Sequence, residues 1–230
     1  IRVPMEEASR FGIMSTRNDN SIYRFDEKPK VPQNDLASMG VYVFDWEVLR
    51  EYLVADEKRI DSQHDFGKNV IPAMLGGGIK LFAYPFSGYW KDVGTIESLW
   101  EANMDQLGDE NSLNLYDTNW RIYTVNPLQP PQYIARGAKV TKSLLGEGCR
   151  IYGTVENSVL FPGVYIEEGC KVKDTVVMSN TRVMKNTVIN RSIVGNSSVI
   201  KENCTIGNAL SKKITVIPSV EVIEEGRVYE

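Results

Sequence analysis

The sequence predicts an α/β domain followed by a parallel β-helix, and three observations support this prediction. Strand-like and helix-like segments alternate in the first part of the chain. Pro127, Pro130 and Pro131 then mark a linker, because proline fits neither a helix interior nor a central strand. After this linker, aliphatic residues recur every six positions, a period typical of a parallel β-helix.

The α/β part is predicted from four segments. Residues 38–44 (SMGVYVF) form a short apolar run that indicates a strand covered on both faces. A helix is expected after Asp45, which suits an N-cap. Residues 80–86 (KLFAYPF) return to strand character, and a second helix is expected after Thr95. Alternation of this kind is the pattern of an α/β domain.

The hexapeptide signal contains two ladders of aliphatic residues. They are Val177, Val183 and Ile189, and then Val188, Val194, Ile200 and Ile206. Each six-residue unit forms one side of a triangular coil, with aliphatic side chains stacked inward and small residues at the corners. The ladders differ in phase, so we expect an irregular coil around residues 184–190, and a looser repeat predicts coils from near Val140. A β-sandwich of short strands is the alternative, which two unbroken ladders disfavour.

Composition excludes several classes of protein. The formal charge of −4 leaves no basic footprint for nucleic acid. No apolar run approaches the roughly 18 residues of a membrane span, so we expect no membrane protein. Three cysteines without a CxxC motif argue against a disulfide framework and a zinc site, and favour a reducing cytoplasm. Because the chain begins with Ile1 on a strand-like segment, we expect a fragment.

Four motifs occur in a fixed order before the repeats: FDEKP (25–29), LASMGVYVF (36–44), HDFGKNVIP (64–72) and YWKDVGT (89–95). Together with the repeats they resemble the glucose-1-phosphate adenylyltransferases, the ADP-glucose pyrophosphorylases of glycogen synthesis. The resemblance implies a partial, Rossmann-like α/β nucleotidyltransferase domain followed by a left-handed parallel β-helix of hexapeptide repeats. We divide the chain accordingly into residues 1–122, a linker at 123–137 and a β-helix at 138–230.

The resemblance also implies an activity. The family joins ATP and glucose 1-phosphate to give ADP-glucose and pyrophosphate, with Mg²⁺ as the cofactor. Its members are typically cytoplasmic homotetramers under allosteric control. The family's glycine-rich nucleotide-binding loop has no counterpart in this chain, so we expect the chain alone to be inactive.

The resemblance assigns roles to individual residues. Lys28 is expected to bind the sugar phosphate, since a compact ammonium after a strand suits a dianion. Asp92 is expected to be a Mg²⁺ ligand, and both residues are predicted to be catalytic. The remaining expected sugar contacts are Glu27, Ser38, Tyr42, Asp65, Phe66 and Trp90, together with Lys28.

The residues themselves allow plainer interpretations. Lys28 and Glu27 can be a solvated turn and a surface ion pair, and Asp92 can simply tighten a turn. On a strand, Ser38 and Tyr42 would share one face with Gly40 between them, where either a sugar or a packed helix would approach the backbone closely.

Three alternative functions remain open on the sequence. One is a related pyrophosphorylase that uses another nucleotide, such as a uridylyltransferase or thymidylyltransferase. Another is a noncatalytic regulatory subunit whose β-helix supplies an oligomer interface. The third, an acyltransferase, is disfavoured because such enzymes place a histidine base between the coils, whereas the only histidine, His64, lies far upstream of the repeats.

Overall fold

The computed structural model describes residues 1–108, 113–125 and 127–230. The chain forms two compact units, Ile1–Gly88 and Tyr89–Glu230. The boundaries predicted from the sequence, between 122 and 123 and between 137 and 138, remain predictions. No helix in the part of the chain that the structure describes combines the length and the apolar character needed to cross a membrane.

The first unit is built on a hairpin and two helices. Strands β1 (Gly12–Thr16) and β2 (Ile22–Glu27) pair antiparallel. Helix α1 (Trp46–Glu57) begins at the predicted N-cap, where Asp45 Oδ1 accepts from two backbone N–H groups. A π-helical turn (Phe66–Val70) leads into α2 (Ile71–Gly76). The buried apolar side chains of this unit include Ile13, Phe25, Ala37, Val70, Ile71 and Met74.

The prediction of a buried strand over residues 38–44 is wrong. These residues form no strand, Gly40 adopts a left-handed φ of 70°, and Val43 is 98% exposed. The neighbouring segment 36–37 makes isolated bridges only, and the predicted strand at 80–86 is reduced to one bridge between Ser21 and Phe82. An apolar run becomes a strand only where another strand pairs with its backbone, and local sequence does not supply that partner.

The second unit contains the predicted parallel β-helix, whose short strands stack into three sheets. The first sheet contains β3 (Tyr133–Ile134), β6 (Arg150–Ile151), β9 (Tyr165–Ile166), β12 (Arg182–Val183), β15 (Val199–Ile200) and β18 (Val222–Ile223). The second contains β4 (Lys139–Thr141), β7 (Thr154–Glu156), β10 (Lys171–Lys173), β13 (Val188–Asn190), β16 (Thr205–Ile206) and β19 (Val228–Tyr229). The third contains β5 (Leu144–Leu145), β8 (Val159–Leu160), β11 (Val176–Val177), β14 (Ser192–Val194) and β17 (Thr215–Ile217). The first strand of the β-helix, β3, therefore begins before Val140.

The phase change between the two ladders recurs in neighbouring coils, so the prediction of one irregular coil is wrong. Lys171 pairs with Val188, 17 positions later, one residue fewer than three hexads would give. The shortened corner directly follows the strands of the second sheet, where one residue with a left-handed φ makes the turn. These residues are Lys142, Asn157, Asp174 and Arg191, whereas a longer loop follows β16.

The core of the β-helix is filled by inward side chains from the strands between β3 and β19. Ile166, Val183 and Ile200 are fully buried in one column, and Val172, Ile189 and Ile206 fill the next. The two predicted ladders include both Val188 and Ile189, and of these Ile189 is the inward residue of β13.

Hydroxyl groups close one corner of the β-helix. The hydroxyls of Ser158 and Thr175 each donate to the carbonyl two residues earlier, at 2.7 Å. Each hydroxyl also binds between coils, because Thr175 N–H donates to Ser158 Oγ, and Ser158 N–H donates to Ser143 Oγ, both at 3.1 Å. Small hydroxyl residues therefore satisfy buried backbone groups at the turn.

Helix α3 (Ile96–Met104) packs against the outside of the third sheet. It begins at Thr95 in a capping box, as predicted. Its Trp100 donates from Nε1 to the Asp174 carbonyl at 2.8 Å and lies 4.6 Å from the Arg191 guanidinium. The buried aliphatic side chains beneath the helix are Val176, Ile193 and Ile214.

We predict that Ile189→Ala lowers the free energy of unfolding by about 2–5 kcal/mol, because it leaves a cavity in the closed aliphatic column. Urea unfolding followed by circular dichroism measures this loss. Val188→Ala is the matched control on the same strand, and its outward, half-buried side chain should cost about 1 kcal/mol or less. Equal losses for the two variants would contradict the inward assignment of Ile189.

Candidate sugar-phosphate site

The predicted residues Glu27 and Lys28 lie where β2 ends. Glu27 is the last residue of β2 and pairs with Gly12 of β1. Lys28 follows in the left-handed region, with φ of 47°, and its N–H donates to the Phe11 carbonyl at 3.1 Å. Lys28 is exposed and forms no ion pair with any described residue. The ammonium therefore remains available to an anion, and phosphate binding by Lys28 stays a prediction.

Ser38 and Tyr42 reach the same place from the other side of β1. The Ser38 N–H donates to the Gly12 carbonyl at 2.7 Å, so the segment carrying Ser38 lies beside β1. The hydroxyls of Ser38 and Tyr42 lie 3.1 Å apart. The two side chains meet as predicted, although the left-handed turn at Gly40 joins them rather than the pleat of a strand. Apart from Gly40 and its two chain neighbours, no described atom lies within 4 Å of a Cβ built on Gly40. The alternative in which a helix packs closely on this glycine is therefore not what the described residues show.

Asp65 and Phe66 complete the cluster from the turn before α2. Asp65 is the N-cap of the π-helical turn, and its Oδ1 accepts from the Lys68 N–H at 2.8 Å. The Phe66 ring stacks against Tyr42, with 5.8 Å between centroids and 26° between planes. Phe66 therefore joins the turn to the segment that carries Ser38 and Tyr42.

Two glycines make room for the Glu27 carboxylate. A Cβ on Gly12 would lie 2.8 Å from Glu27 Oε2, and a Cβ on Gly67 would overlap the same oxygen. Gly67 is buried, so the carboxylate rests directly on the backbone of the turn. The sequence analysis missed both glycines. The order Asp-Phe-Gly, which places a residue without a side chain beside two predicted ligands, was the available signal.

The charges of the cluster affect the ionisation of Glu27. Partial burial raises the pKa of Glu27 above its ordinary value of 4.5, and the nearby carboxylate of Asp65 raises it further. The ammonium groups of Lys28 and Lys68 oppose these two effects. Two carboxylates and two ammonium groups therefore share one small polar region of the first unit.

Trp90 and Asp92 belong to the second unit. Both are half-buried in the segment before α3, which Tyr89 and Lys91 hold to Asp105 by hydrogen bonds of 3.1 and 3.3 Å. The Asp92 carboxylate lies 3.2 Å from the Cβ position of Gly94, close to the turn that precedes the helix. Their participation in the same site as Lys28 remains a prediction.

A metal site is not assembled by these residues alone. Asp92 offers hard oxygen ligands, which suit Mg²⁺. However, the described residues contain no group of three His, Cys, Asp or Glu side chains that could hold a metal ion. A metal at Asp92 would therefore need ligands from substrate, from water or from residues beyond this set.

The fold and the cluster define a class of protein: a nucleotidyltransferase domain joined to a hexapeptide β-helix. Residues 1–108 match the nucleotidyl transferase family, and residues 131–225 match the GlmU-like, C-terminal hexapeptide family.

Individual relatives identify the family more closely. The chain is 57% identical over 230 residues to a glucose-1-phosphate adenylyltransferase of Clostridium perfringens, covering 98% of the chain and 58% of the relative. It is 56% identical to the enzyme of that name from Clostridium botulinum, covering 100% and 59%. A Bacillus cereus enzyme of that name is 61% identical over 178 residues, covering 77% and 47%. The chain belongs to the glucose-1-phosphate adenylyltransferase family and spans about 58% of the length of the first of these relatives.

We predict that Glu27→Gln stabilises the chain at neutral pH and has little effect below about pH 4. The raised pKa means that the folded state opposes ionisation of Glu27. The unfavourable free energy of the Glu27 charge in the folded state is therefore fully present above the raised pKa. It disappears below the ordinary pKa of 4.5, where Glu27 is protonated in both the folded and the unfolded state.

Urea unfolding from about pH 4 to about pH 8 measures the difference between the variant and the wild type. Glu51→Gln, which changes an exposed glutamate on α1, is the control. A Glu27→Gln difference that is constant with pH would show that the carboxylate is not strained by its surroundings.

Proposed function

We propose that this chain supplies the sugar-phosphate part of a glucose-1-phosphate adenylyltransferase. The enzyme would transfer the adenylyl group of ATP to glucose 1-phosphate, giving ADP-glucose and pyrophosphate. The convergence of Glu27, Ser38, Tyr42, Asp65 and Phe66 in one cluster carries the proposal. The relatives bear the name of this activity, which supports the choice of reaction.

The cluster has the chemistry to bind a sugar. Carboxylates such as Glu27 and Asp65 accept hydrogen bonds from hydroxyl groups, and each has two oxygens to offer. The hydroxyls of Ser38 and Tyr42 both donate and accept. The exposed ring of Phe66 presents an apolar surface beside them. Trp90 is proposed as a further sugar contact from the second unit.

Phosphate recognition is assigned to Lys28. Its ammonium follows β2 directly after Glu27, so a sugar held by the carboxylates would place its phosphate within reach of the lysine. In adenylyl transfer a phosphate oxygen attacks the α-phosphorus, and cations offset the negative charge that accumulates. Mg²⁺, with Asp92 as one of its ligands, would supply part of this positive charge when bound.

We further propose that the intact protein is an allosteric homotetramer of the cytoplasm, as the resemblance implies. The location of the single histidine argues against the acyltransferase alternative. His64 lies in the first unit beside Asp56, whereas the β-helix belongs to the second unit.

We predict that the isolated 230-residue chain binds glucose 1-phosphate without turnover. No glycine-rich segment of the chain provides the phosphate loop that ATP would require. Isothermal titration with glucose 1-phosphate measures the binding, and formation of ADP-glucose from ATP, Mg²⁺ and glucose 1-phosphate measures turnover. Detectable ADP-glucose would overturn the expectation that a nucleotide site is missing.

We predict that Lys28→Ala raises the KM for glucose 1-phosphate by about a hundredfold or more in the protein that carries this chain, because it removes the charge that holds the phosphate. The KM for ATP should change much less. Lys30→Ala, which removes an exposed lysine two residues later, is the matched control. An unchanged KM for glucose 1-phosphate would reject the assignment of Lys28 to the phosphate.

A further inference from the structure

Asp56 occupies an unfavourable position in the first unit. It is the only buried residue of α1, at 7% exposure, although it is an aspartate. It also lies one residue before the end of the helix, where the partial negative charge of the helix terminus disfavours a carboxylate. Burial and location both cost free energy, so the contacts of this side chain must compensate for them.

Three hydrogen-bond contacts surround the Asp56 carboxylate, and all come from one short segment. The Ser62 hydroxyl lies 2.7 and 2.9 Å from the two carboxylate oxygens. His64 Nδ1 lies 2.9 Å from Oδ2, and since a carboxylate only accepts, this nitrogen is the donor. Ser62 also accepts from the His64 N–H at 3.0 Å. The pKa of Asp56 is lowered mainly by the Ser62 hydroxyl and then by His64, as expected for a carboxylate that accepts these bonds.

These contacts hold His64 in a strained backbone conformation. Its φ is 54°, in the left-handed region that residues with a Cβ seldom adopt. Such a conformation persists only where the surroundings fix it. Asp56 holds the side chain of His64, and Ser62 holds its backbone N–H. Together the two hydrogen bonds fix this conformation.

The segment after His64 carries the sugar contacts of the cluster. Asn69 Oδ1 accepts from the backbone N–H of Gln63 and of Asp65, at 3.2 and 3.3 Å. These bonds connect the segment to the turn that Asp65 caps. The backbone direction at His64 therefore determines where the Asp65 carboxylate and the next residue, Phe66, are placed.

The Phe66 ring extends this connection to the other side of the cluster. It stacks against Phe44 and Tyr42, with 5.8 Å between centroids in both pairs. Tyr42 in turn contacts Ser38. A shift at His64 would consequently move both the carboxylate and the aromatic side of the site.

We infer that Asp56 is a positioning residue, which fixes the sugar-binding turn through Ser62 and His64 without touching the substrate. This inference rests on the proposed function, because the turn that Asp56 holds is the one to which sugar binding is assigned. The same geometry gives His64 the role of a tether between α1 and the turn rather than the role of an acid or a base.

The test compares His64→Ala with His64→Asn in the protein that carries this chain. His64→Ala removes the tether and should raise the KM for glucose 1-phosphate about tenfold or more, with a much smaller change in kcat and in the KM for ATP. His64→Asn keeps a side-chain N–H near the position of Nδ1 and should restore most of the affinity. Asp61→Asn, which changes an exposed aspartate of the same loop that pairs with Arg59, is the control and should leave KM unchanged.

Imidazole added to His64→Ala distinguishes the tether from a chemical role. Free imidazole can fill the space beside Asp56 and exchange protons, but it has no covalent connection to the turn. A tether predicts no recovery of KM or kcat, whereas recovery of activity would overturn the inference. Hydrogen exchange provides an independent measurement, and His64→Ala should lose amide protection over residues 63–70 but keep it in α1.

Ser62→Ala tests the same contact if His64→Ala does not fold, and it should raise the same KM. Binding of glucose 1-phosphate by the wild-type protein separates two kinds of failure. If the wild type does not bind glucose 1-phosphate, the proposed function is wrong. If the wild type binds it and the His64→Ala and Ser62→Ala variants bind it equally well, the positioning role of Asp56 is wrong.

Discussion

The β-helix depends on stacking between coils, because its strands are only two or three residues long. Such a strand cannot be stable by itself, and the core is built from side chains that many strands contribute. Stability requires every inward residue to lie above the inward residue of the coil before it. A 17-residue spacing between paired strands recurs in the central coils and meets this requirement, and residues with a left-handed φ make the corners.

A different constraint shapes the first unit, where charged groups are brought close together. Glu27 and Asp65 approach each other closely enough for their charges to interact. Gly12 and Gly67 have no side chain in the space that the Glu27 carboxylate occupies. A protein selected only for stability would not bring carboxylates together in this way, and a ligand rich in hydroxyl groups is the chemistry that these acceptors match.

The positions of Asp56 and Lys28 separate two kinds of polar residue. Asp56 is buried and has its oxygens occupied by Ser62 and His64, so it acts on the protein itself. Lys28 is exposed and has no ion pair among the described residues, so its charge is available to a ligand. Neither distinction can be made from residue type, since an aspartate and a lysine on the surface of an α/β domain usually have no such role.

The sequence by itself determined the helix starts at Asp45 and Thr95 and the parallel β-helix. These features depend on local chemistry, such as a side-chain cap or a six-residue period, and the order of residues is enough to reveal them. Only the tertiary structure decided that residues 38–44 form no strand, that a shortened corner recurs in several coils of the β-helix, and that Asp56 is buried. Each of these features depends on which distant segment pairs with the backbone or covers the side chain. A local sequence pattern does not identify that segment.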